Sequence, residues 1–343
     1  MTRLVAWAKT NLFGSWVAGA ITLGLLALLA GAALPALKWA LLDAVFGAAP
    51  TDCANVTGAC WGFVAAQGRL LLFGTYPVDE TWRPALTVGL IVVLFALSTL
   101  RSLWRRELAY AWGAVMFVCL WLMGGGLGLR PVATEQWGGL PLTMLLTLIG
   151  EAVALPLGIL LALGRRSSLP AVRTACTTFI ELVRGVPLIS ILFMAALMFP
   201  LLLPDGLTFD KLLRAQIAII LFSAAYLAEI VRGGLQALPP GQGDAANALG
   251  LRYWQGLWLV ILPQAMRMVI PGLVNSFIGA LKDTSLVAVI GMFDLMGTGR
   301  LALADPIWRQ YPIEGYLTIA ALYYAMCRGV AYLGRKVEAA PRW

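Results

Sequence analysis

Apolar runs long enough to cross a membrane constrain the fold of this chain more than any other feature. A helix needs about 20 mainly apolar residues to span the hydrocarbon. Eight such runs lie at about 13–34, 85–100, 108–127, 140–163, 186–203, 213–231, 265–289 and 316–333. Of the 343 residues, 60% are hydrophobic and 12% are charged, which is more apolar than ordinary soluble domains. The sequence therefore predicts an all-α integral membrane protein with about eight transmembrane helices.

The basic residues indicate how the helices are oriented. The formal net charge is +8, and most of the bases occur in short connections between apolar runs, as positive-inside loops do. Arg101, Arg105 and Arg106 follow the second run, and Arg165 and Arg166 follow the fourth. We expect these connections and both termini to be cytoplasmic, and the loop at about 43–83 to be external. The same distribution argues against nucleic acid as a partner.

Residue types with catalytic or metal-binding chemistry are few. The chain has no histidine, which removes histidine acid–base catalysis and histidine metal sites. Cys53 and Cys60 lie in the loop that we expect to be external, where they form either a disulfide or two free thiols. Their spacing does not decide between these two states. No metal site is predicted.

A polar, helix-forming stretch separates two of the apolar runs, and it reads GDAANALGLRYWQGLWLVILPQAMR from Gly243 to Arg267. Asp244 suits the start of a short helix, because a carboxylate complements free N–H groups and the positive end of the dipole. Gly250 suits its end, and Pro263 suits the start of the next membrane helix. A short helix without a core of its own predicts a docking element at the membrane surface.

This stretch resembles the EAA loop of ABC-importer permeases, written E-A-A-x3-G-x9-I-x-L-P. Seven residues fall on its positions at the right spacing: Asp244, Ala245, Ala246, Gly250, Val260, Leu262 and Pro263. Asp244 replaces Glu and Val260 replaces Ile. In that family the loop seats in a cleft of a cytoplasmic ATPase subunit and transmits its closure to the membrane helices.

Further segments resemble the polar amino-acid permease family, whose substrates include histidine, glutamine, glutamate, arginine and opines. They are FIELVRGVPL (179–188), AEIVRGGLQALPPGQ (228–242) and LKDTSLVAVIG (281–291). GACWGF (58–63) and YPVDETWR (76–83) are similar to the longer M-type permease of general L-amino-acid transporters. The resemblance implies an ABC type I importer permease core at 138–335, with five transmembrane helices and a cytoplasmic coupling loop at about 233–265. Residues 1–137 would form an extension with three transmembrane helices and the external loop.

The resemblance also implies partners. A P-loop requires G-x-x-x-x-G-K-[ST], and no Gly-Lys pair occurs in the chain. ATP and Mg²⁺ would therefore be bound by a dimer of a cytoplasmic ATPase subunit, and this chain would be a transport subunit without a cofactor or an ATPase site. A periplasmic solute-binding protein would deliver the amino acid, and a second permease, similar but different, would complete the path. The expected location is a bacterial inner membrane.

Two similar pentads carry charges at the predicted cytoplasmic surface. Glu181 and Arg184 lie in one, and Glu229 and Arg232 lie in the other, each pair one helical turn apart. These charges would either line an inner gate and exchange partners during transport or form static salt bridges with snorkelling arginines.

The predicted substrate path contains Lys282, Asp283, Thr284 and Ser285. Sixteen residues at about 1.5 Å each separate Met266 from Lys282, so this group would lie roughly 24 Å into a core about 30 Å thick. An amino-acid zwitterion offers a carboxylate for Lys282 and an ammonium for Asp283. Alternatively, these two residues pair with each other or belong to a subunit contact. Asn275 either lines the path or bridges helices.

An ion-coupled secondary transporter is the alternative function, because intramembrane charges are also found there. It leaves the coupling loop unexplained. The identity of the carried amino acids and the subunit that holds them cannot be read from the sequence.

Overall fold

The computed structural model describes residues 2–47, 53, 57–204, 209–239 and 241–339. The chain divides into two compact units. One unit comprises Met1–Gly68 and Leu303–Tyr316, and the other comprises Arg69–Ala302 and Leu317–Trp343. The charged cluster, the cavity and the coupling segment described below all belong to the second unit.

Helices make up most of the described residues. In chain order they are α1 (Thr2–Asn11), α2 (Trp16–Leu37), α3 (Gly62–Phe73), α4 (Trp82–Ser98), α5 (Arg106–Gly124), α6 (Gly139–Arg165), α7 (Pro170–Arg184), α8 (Leu188–Phe193), α9 (Lys211–Ala237), α10 (Gln242–Ala248), α11 (Tyr253–Gly256), α12 (Leu262–Asp283), α13 (Leu295–Leu303) and α14 (Pro312–Glu338). Among the described residues, seven helical segments are long and apolar enough to span a membrane, or eight if one bent pair counts as a span. The predicted all-α membrane fold is confirmed.

One predicted run belongs to a bent pair of helices. The run predicted at about 186–203 is the helical segment Leu188–Leu202, and α7 precedes it at an angle of 102°, which the sequence did not predict. The break has a local cause. Gly185 caps α7 and Pro187 caps α8, and a proline disfavours helical backbone at the residue before it. The apolar run is therefore only one arm of a broken element.

Helices α6, α9 and α12 pack closely because small residues lie where they cross. A side chain added at Gly158 of α6 would lie 2.9 Å from Cβ of Leu227 on α9. One added at Gly234 of α9 would lie 2.8 Å from the carbonyl oxygen of Ala265 on α12. Glycine at such positions lets two backbones approach. These three helices therefore form the closely packed frame of the second unit.

The first unit includes most of the loop predicted to be external. The structure shows Cys53 and Cys60 joined in a disulfide. The Tyr311 hydroxyl donates to the Cys53 carbonyl at 3.0 Å, and the Phe63 and Trp308 rings lie 5.8 Å apart. The loop also contains the whole of α3, which the sequence did not predict. Residues 48–52 and 54–56 of the loop lie outside the described residues.

Candidate functional site

The predicted docking element is a short, well-capped helix. Helix α10 begins after Gly241, and Asp244 lies in its first turn. At the other end the Leu251 N–H donates to the Ala246 carbonyl at 3.1 Å, and the Gly250 N–H donates to the Asn247 carbonyl at 2.9 Å. Gly250 has φ +78°, a left-handed conformation that glycine adopts without strain. This pair of bonds is the Schellman motif and explains the glycine of the sequence pattern.

The residues that follow helix α10 carry large apolar side chains on the surface. Leu249 is 82% exposed, Leu259 69% and Tyr253 68%. Trp254 and Trp258 are also exposed. On the other side of α10, Ala246 is buried, and a side chain added at Gly256 would lie 3.2 Å from its Cβ. The segment therefore has one face fixed to the protein and one apolar face open, as interaction surfaces often have.

The docking element is connected directly to the membrane helices. The chain runs from α11 through a π-helical turn, Leu257–Ile261, into α12 without a break. The Gln264 amide in the first turn of α12 donates to the Gln242 side chain at 3.0 Å. Because α12 also packs tightly against α9 at Gly234, a force on α10 would reach both helices.

The charged pentads meet in one cluster. Glu229 accepts hydrogen bonds from Nη1 of Arg165 (2.7 Å) and from Nε and Nη2 of Arg232 (2.9 and 2.7 Å). Nη1 of Arg184 lies 3.6 Å from the same carboxylate. Glu181 lies 2.8 Å from Nη2 of Arg165. The cluster therefore ties α6, α7 and α9 together.

Burial distinguishes the two acids of this cluster. The side chain of Glu229 is 14% exposed and has three arginine neighbours, whereas that of Glu181 is 56% exposed and pairs with Arg165. Arg165 forms an ion pair with each of the two acids. The sequence did not predict that Arg165 belongs to this cluster, because its partners lie in distant segments of the chain and no local pattern indicates them.

A cavity of about 250 Å³ lies between α6, α8, α9 and α12 and carries two acidic side chains. Glu151 and Asp283 line it together with the hydroxyl groups of Ser223, Ser276 and Thr284. Apart from Tyr226, the remaining lining is apolar, and none of the lining residues is basic. Glu151 is buried, and its Oε1 has no hydrogen-bond partner among the described residues. The cavity suits a small ligand that carries a positive charge.

The structure separates the residues of the predicted substrate path. Asp283 and Thr284 line the cavity, whereas Lys282, Ser285 and Asn275 do not. Lys282, Asp283 and Asn275 are all exposed. Among the described residues no ion pair joins Lys282 to Asp283. The helix ends at Asp283, and a 3₁₀ segment, Thr284–Ile290, follows it.

Asp294 holds this end of the cavity in place, and the sequence reading did not single it out. The residue is fully buried. Its carboxylate accepts hydrogen bonds from the Tyr323 hydroxyl (2.8 Å), the Gly297 N–H (2.9 Å) and the Thr284 hydroxyl (3.3 Å). It therefore caps α13 and fixes the first residue of the 3₁₀ segment.

Within the described part of the chain, no group of three or more Cys, Asp or Glu side chains could hold a metal ion.

Comparison with known families decides what kind of protein carries these features. Residues 154–337 match the model of the family described as binding-protein-dependent transport system inner membrane component. This match covers more than half of the chain and includes the charged cluster, α10 and most of the cavity lining. The chain belongs to this family of ABC-importer permeases.

Relatives of this permease match along nearly the whole chain. It is 45% identical over 342 residues to the inner membrane amino-acid ABC transporter permease protein YhdY of Escherichia coli K12, covering 98% of this chain and 93% of the relative. It is 36% identical to the glutamate/glutamine/aspartate/asparagine transport system permease protein BztC of Rhodobacter capsulatus, covering 97% and 94%.

A solved structure supports the fold. The permease is 32% identical to a chain from the crystal structure of an amino acid ABC transporter with histidines, with a TM-score of 0.52 over 58% of this chain and 91% of that one. This permease is therefore a multi-pass membrane subunit of an ABC importer, and the secondary-transporter alternative is not favoured.

Proposed function

We propose that this permease carries amino acids across a bacterial inner membrane, driven by ATP that a separate subunit hydrolyses. Its partners would be a dimer of cytoplasmic ATPase subunits, which bind ATP and Mg²⁺, and a second, similar but different permease. A periplasmic solute-binding protein would deliver the substrate. Both termini and α10 would lie in the cytoplasm, and the disulfide loop would lie outside.

The exposed apolar face of the docking element is the observation that carries this proposal. Leu249 is 82% exposed at the end of α10, which is capped at Gly250, and the α11 segment that follows continues into α12. A membrane protein gains nothing from exposing such a side chain in water unless a partner covers it. A cleft in an ATPase subunit would bury this face, and the rigid connection to α12 would transmit movement of that subunit. The seven residues of the coupling pattern, Asp244 to Pro263, all lie in this segment or at the start of α12.

The domain division follows from this arrangement. Residues 138–335 would form the transport core, with the coupling loop at about 233–265. Residues 1–137 would form an extension with three transmembrane helices. Support comes from relatives that match only part of this chain. For example, the probable glutamine ABC transporter permease protein GlnP of Bacillus subtilis is 29% identical over 202 residues and covers 59% of this chain.

The two carboxylates of the cavity support an amino acid as the substrate. The names of the relatives above describe amino-acid permeases. An α-ammonium group would find Asp283 and Glu151 on the cavity wall, with hydroxyl groups of Ser223 and Thr284 as further acceptors. Burying a positive charge without a partner is costly, so these acids would stabilise the substrate in the membrane. Lys282 lies outside the cavity lining, so this structure gives no basic partner for the substrate carboxylate.

The cluster around Glu229 acts as a static tie at the inner ends of α6, α7 and α9. Glu229 already contacts all three arginines in this one conformation. An exchange of partners between conformations would need a second acceptor of similar burial, and Glu181 is much more exposed. Static salt bridges therefore explain the two pentads better than a gate does.

Reconstituted uptake tests the proposal directly. The permease would be purified with its ATPase subunits, second permease and binding protein, placed in vesicles, and supplied with a panel of labelled amino acids. Uptake should require ATP and the ATPase subunit, and Leu249→Asp should abolish it. The control is Arg173→Gln, an exposed polar change on the predicted cytoplasmic side, which should leave uptake unchanged. Uptake by the permease alone along an ion gradient would contradict the proposal.

A second measurement in the same vesicles tests the cavity. Asp283→Asn should weaken the apparent affinity for amino acids on the order of tenfold or more, since a charged hydrogen bond contributes about 1.5–3 kcal/mol. ATP hydrolysis stimulated by the binding protein should continue. If Asp283→Asn changed the coupling of hydrolysis and left the amino-acid affinity intact, the residue would belong to a subunit contact instead.

A further inference from the structure

Helices α4 and α14 end side by side, and each end is capped by a cation from the other. Nη2 of Arg101, just after α4, donates to the carbonyls of Lys336 (3.3 Å) and Ala339 (2.9 Å) at the end of α14. Nζ of Lys336 donates to the carbonyl of Thr99 at 3.1 Å. Cations favour the negative ends of helix dipoles. This arrangement concentrates positive charge where both helices leave the membrane.

More basic side chains surround this pair and lack acidic partners. Arg105 lies in the short connection from α4 to α5, Arg106 is the first residue of α5, and Arg335 precedes Lys336 on α14. All three are exposed, and none of them forms an ion pair within the described ranges. Glu107 and Glu338 are the acids in these segments, and both are exposed. The surface therefore keeps a positive excess.

Aromatic side chains place this surface at the level of the lipid headgroups. The indole N–H of Trp104 donates to the Ser98 carbonyl at 2.9 Å, and that of Trp112 donates to the Ser98 hydroxyl at 3.0 Å. Nζ of Lys336 lies 4.8 Å from the centre of the Tyr332 ring. Tryptophan and tyrosine concentrate at membrane–water boundaries, where one part of the ring is apolar and the other is wet.

An apolar groove runs along the membrane segments of the same two helices. Its volume is about 380 Å³, within the usual range for ligand pockets of roughly 300–1,000 Å³. Phe95 and Ala96 of α4 and Ala325, Gly329 and Val330 of α14 line its inner part. Almost all of its lining is apolar, so the groove suits a hydrocarbon chain.

The groove and the basic surface are separated by the distance that one lipid molecule covers. Six residues separate Val330 from Lys336, and eleven separate Ala325 from it, which is about 9 to 17 Å along a helix. One leaflet contributes about 15 Å of hydrocarbon. We propose that this surface binds an anionic phospholipid, with its phosphate at Arg101, Arg105 and Arg106 and one acyl chain in the groove.

Native mass spectrometry of the full chain, purified in detergent with added phosphatidylglycerol or phosphatidylcholine, tests the proposal. The unaltered chain should retain phosphatidylglycerol in preference to phosphatidylcholine. Arg105→Gln together with Arg106→Gln should weaken this retention on the order of 25-fold, since each basic residue near an anionic surface strengthens binding about fivefold. Arg105→Lys with Arg106→Lys should restore it. Arg105 is the N-cap residue of α5, but its side chain makes no capping hydrogen bond, so the fold should persist.

Two further variants separate this site from general attraction to charge. Arg166→Gln with Arg173→Gln removes two exposed cations elsewhere on the predicted cytoplasmic side and should leave retention unchanged. Ala325→Phe keeps every charge, fills the groove and should weaken retention. If Ala325→Phe retained the lipid fully, the association would involve headgroups alone, and the proposal would be wrong. Equal loss in both double glutamine variants, or equal retention of the two lipids, would also overturn it.

Discussion

Replacing Glu229 by glutamine should destabilise the permease by about 2–3 kcal/mol. The carboxylate accepts two short hydrogen bonds from Arg232 and one from Arg165, and Arg184 lies within 3.6 Å. Each hydrogen bond to a charged group contributes about 1.5–3 kcal/mol when buried. The arginine side chains are 24–35% exposed, so solvent reduces the loss, and the glutamine oxygen still accepts one bond. Three cations would nevertheless face each other around a neutral amide.

Glu181→Gln is the matched control from the second pentad. Its carboxylate is 56% exposed and pairs with Arg165 at 2.8 Å. Exposed ion pairs contribute about 0–1 kcal/mol, so this variant should lose less than about 1 kcal/mol. The two substitutions make the same chemical change in nearly the same local sequence. A difference between them therefore reports burial and the number of arginine neighbours.

Thermal unfolding of the purified chain in detergent measures both effects. A change of 1 kcal/mol shifts the midpoint by about 2–4 °C in chains of 150–250 residues. The lower figure suits this longer chain, so Glu229→Gln should lower the midpoint by roughly 4–6 °C. Adding Arg165→Gln to Glu229→Gln should recover part of the loss, because neighbouring charges are not additive. Equal shifts for Glu229→Gln and Glu181→Gln, or no shift for Glu229→Gln, would refute this account of the cluster.

Three other changes have expected outcomes. Gly250→Ala should lower the free energy of unfolding by about 1–2 kcal/mol, because φ is +78° there, and it should speed hydrogen exchange in α10. Gly243→Ala, inside the same helix, should slow that exchange. Similar exchange rates in the two variants would contradict the role of the cap. Asp294→Ala removes the acceptor of three buried hydrogen bonds and should lower stability by about 3–5 kcal/mol in a thermal melt; an unchanged midpoint would be inconsistent with that network. Replacing Cys53 and Cys60 by serine removes a cross-link with a sequence separation of 7, which should lower the free energy of unfolding by about 2 kcal/mol. Proteolysis of the loop should become faster. An unchanged cleavage rate would argue against a stabilising disulfide.

The sequence was most informative where the signal is local. Membrane-length runs depend only on consecutive residues, and most of them appear as helices in the structure. The coupling pattern is also local: Gly250 is where a left-handed residue ends α10, and Pro263 lies in the first turn of α12. The bend between α7 and Leu188–Leu202 was not predicted, because hydropathy does not register the turn at Gly185 and Pro187.

Contacts between distant segments could not be predicted in this way. Arg165 reaches Glu229 across 64 positions of the chain, and Tyr323 reaches Asp294 across 29. Whether Lys282 or Glu151 lines the cavity depends on how α6 and α12 are rotated about their axes. A single sequence gives the apolar face of a helix only approximately, because a helix surrounded by lipid and by other helices is apolar on most sides.

Site-specific photo-crosslinking from position 249 tests the central claim most directly. A photoreactive residue in place of Leu249 would be compared with one in place of Phe46, which is 64% exposed in the loop predicted to be external. In membranes that contain the whole transporter, position 249 should crosslink to the ATPase subunit, with a yield that changes when ATP is added, and position 46 should not. Labelling of position 249 by a membrane-impermeant reagent from outside the cell, or crosslinks to the ATPase subunit from position 46 alone, would contradict the account.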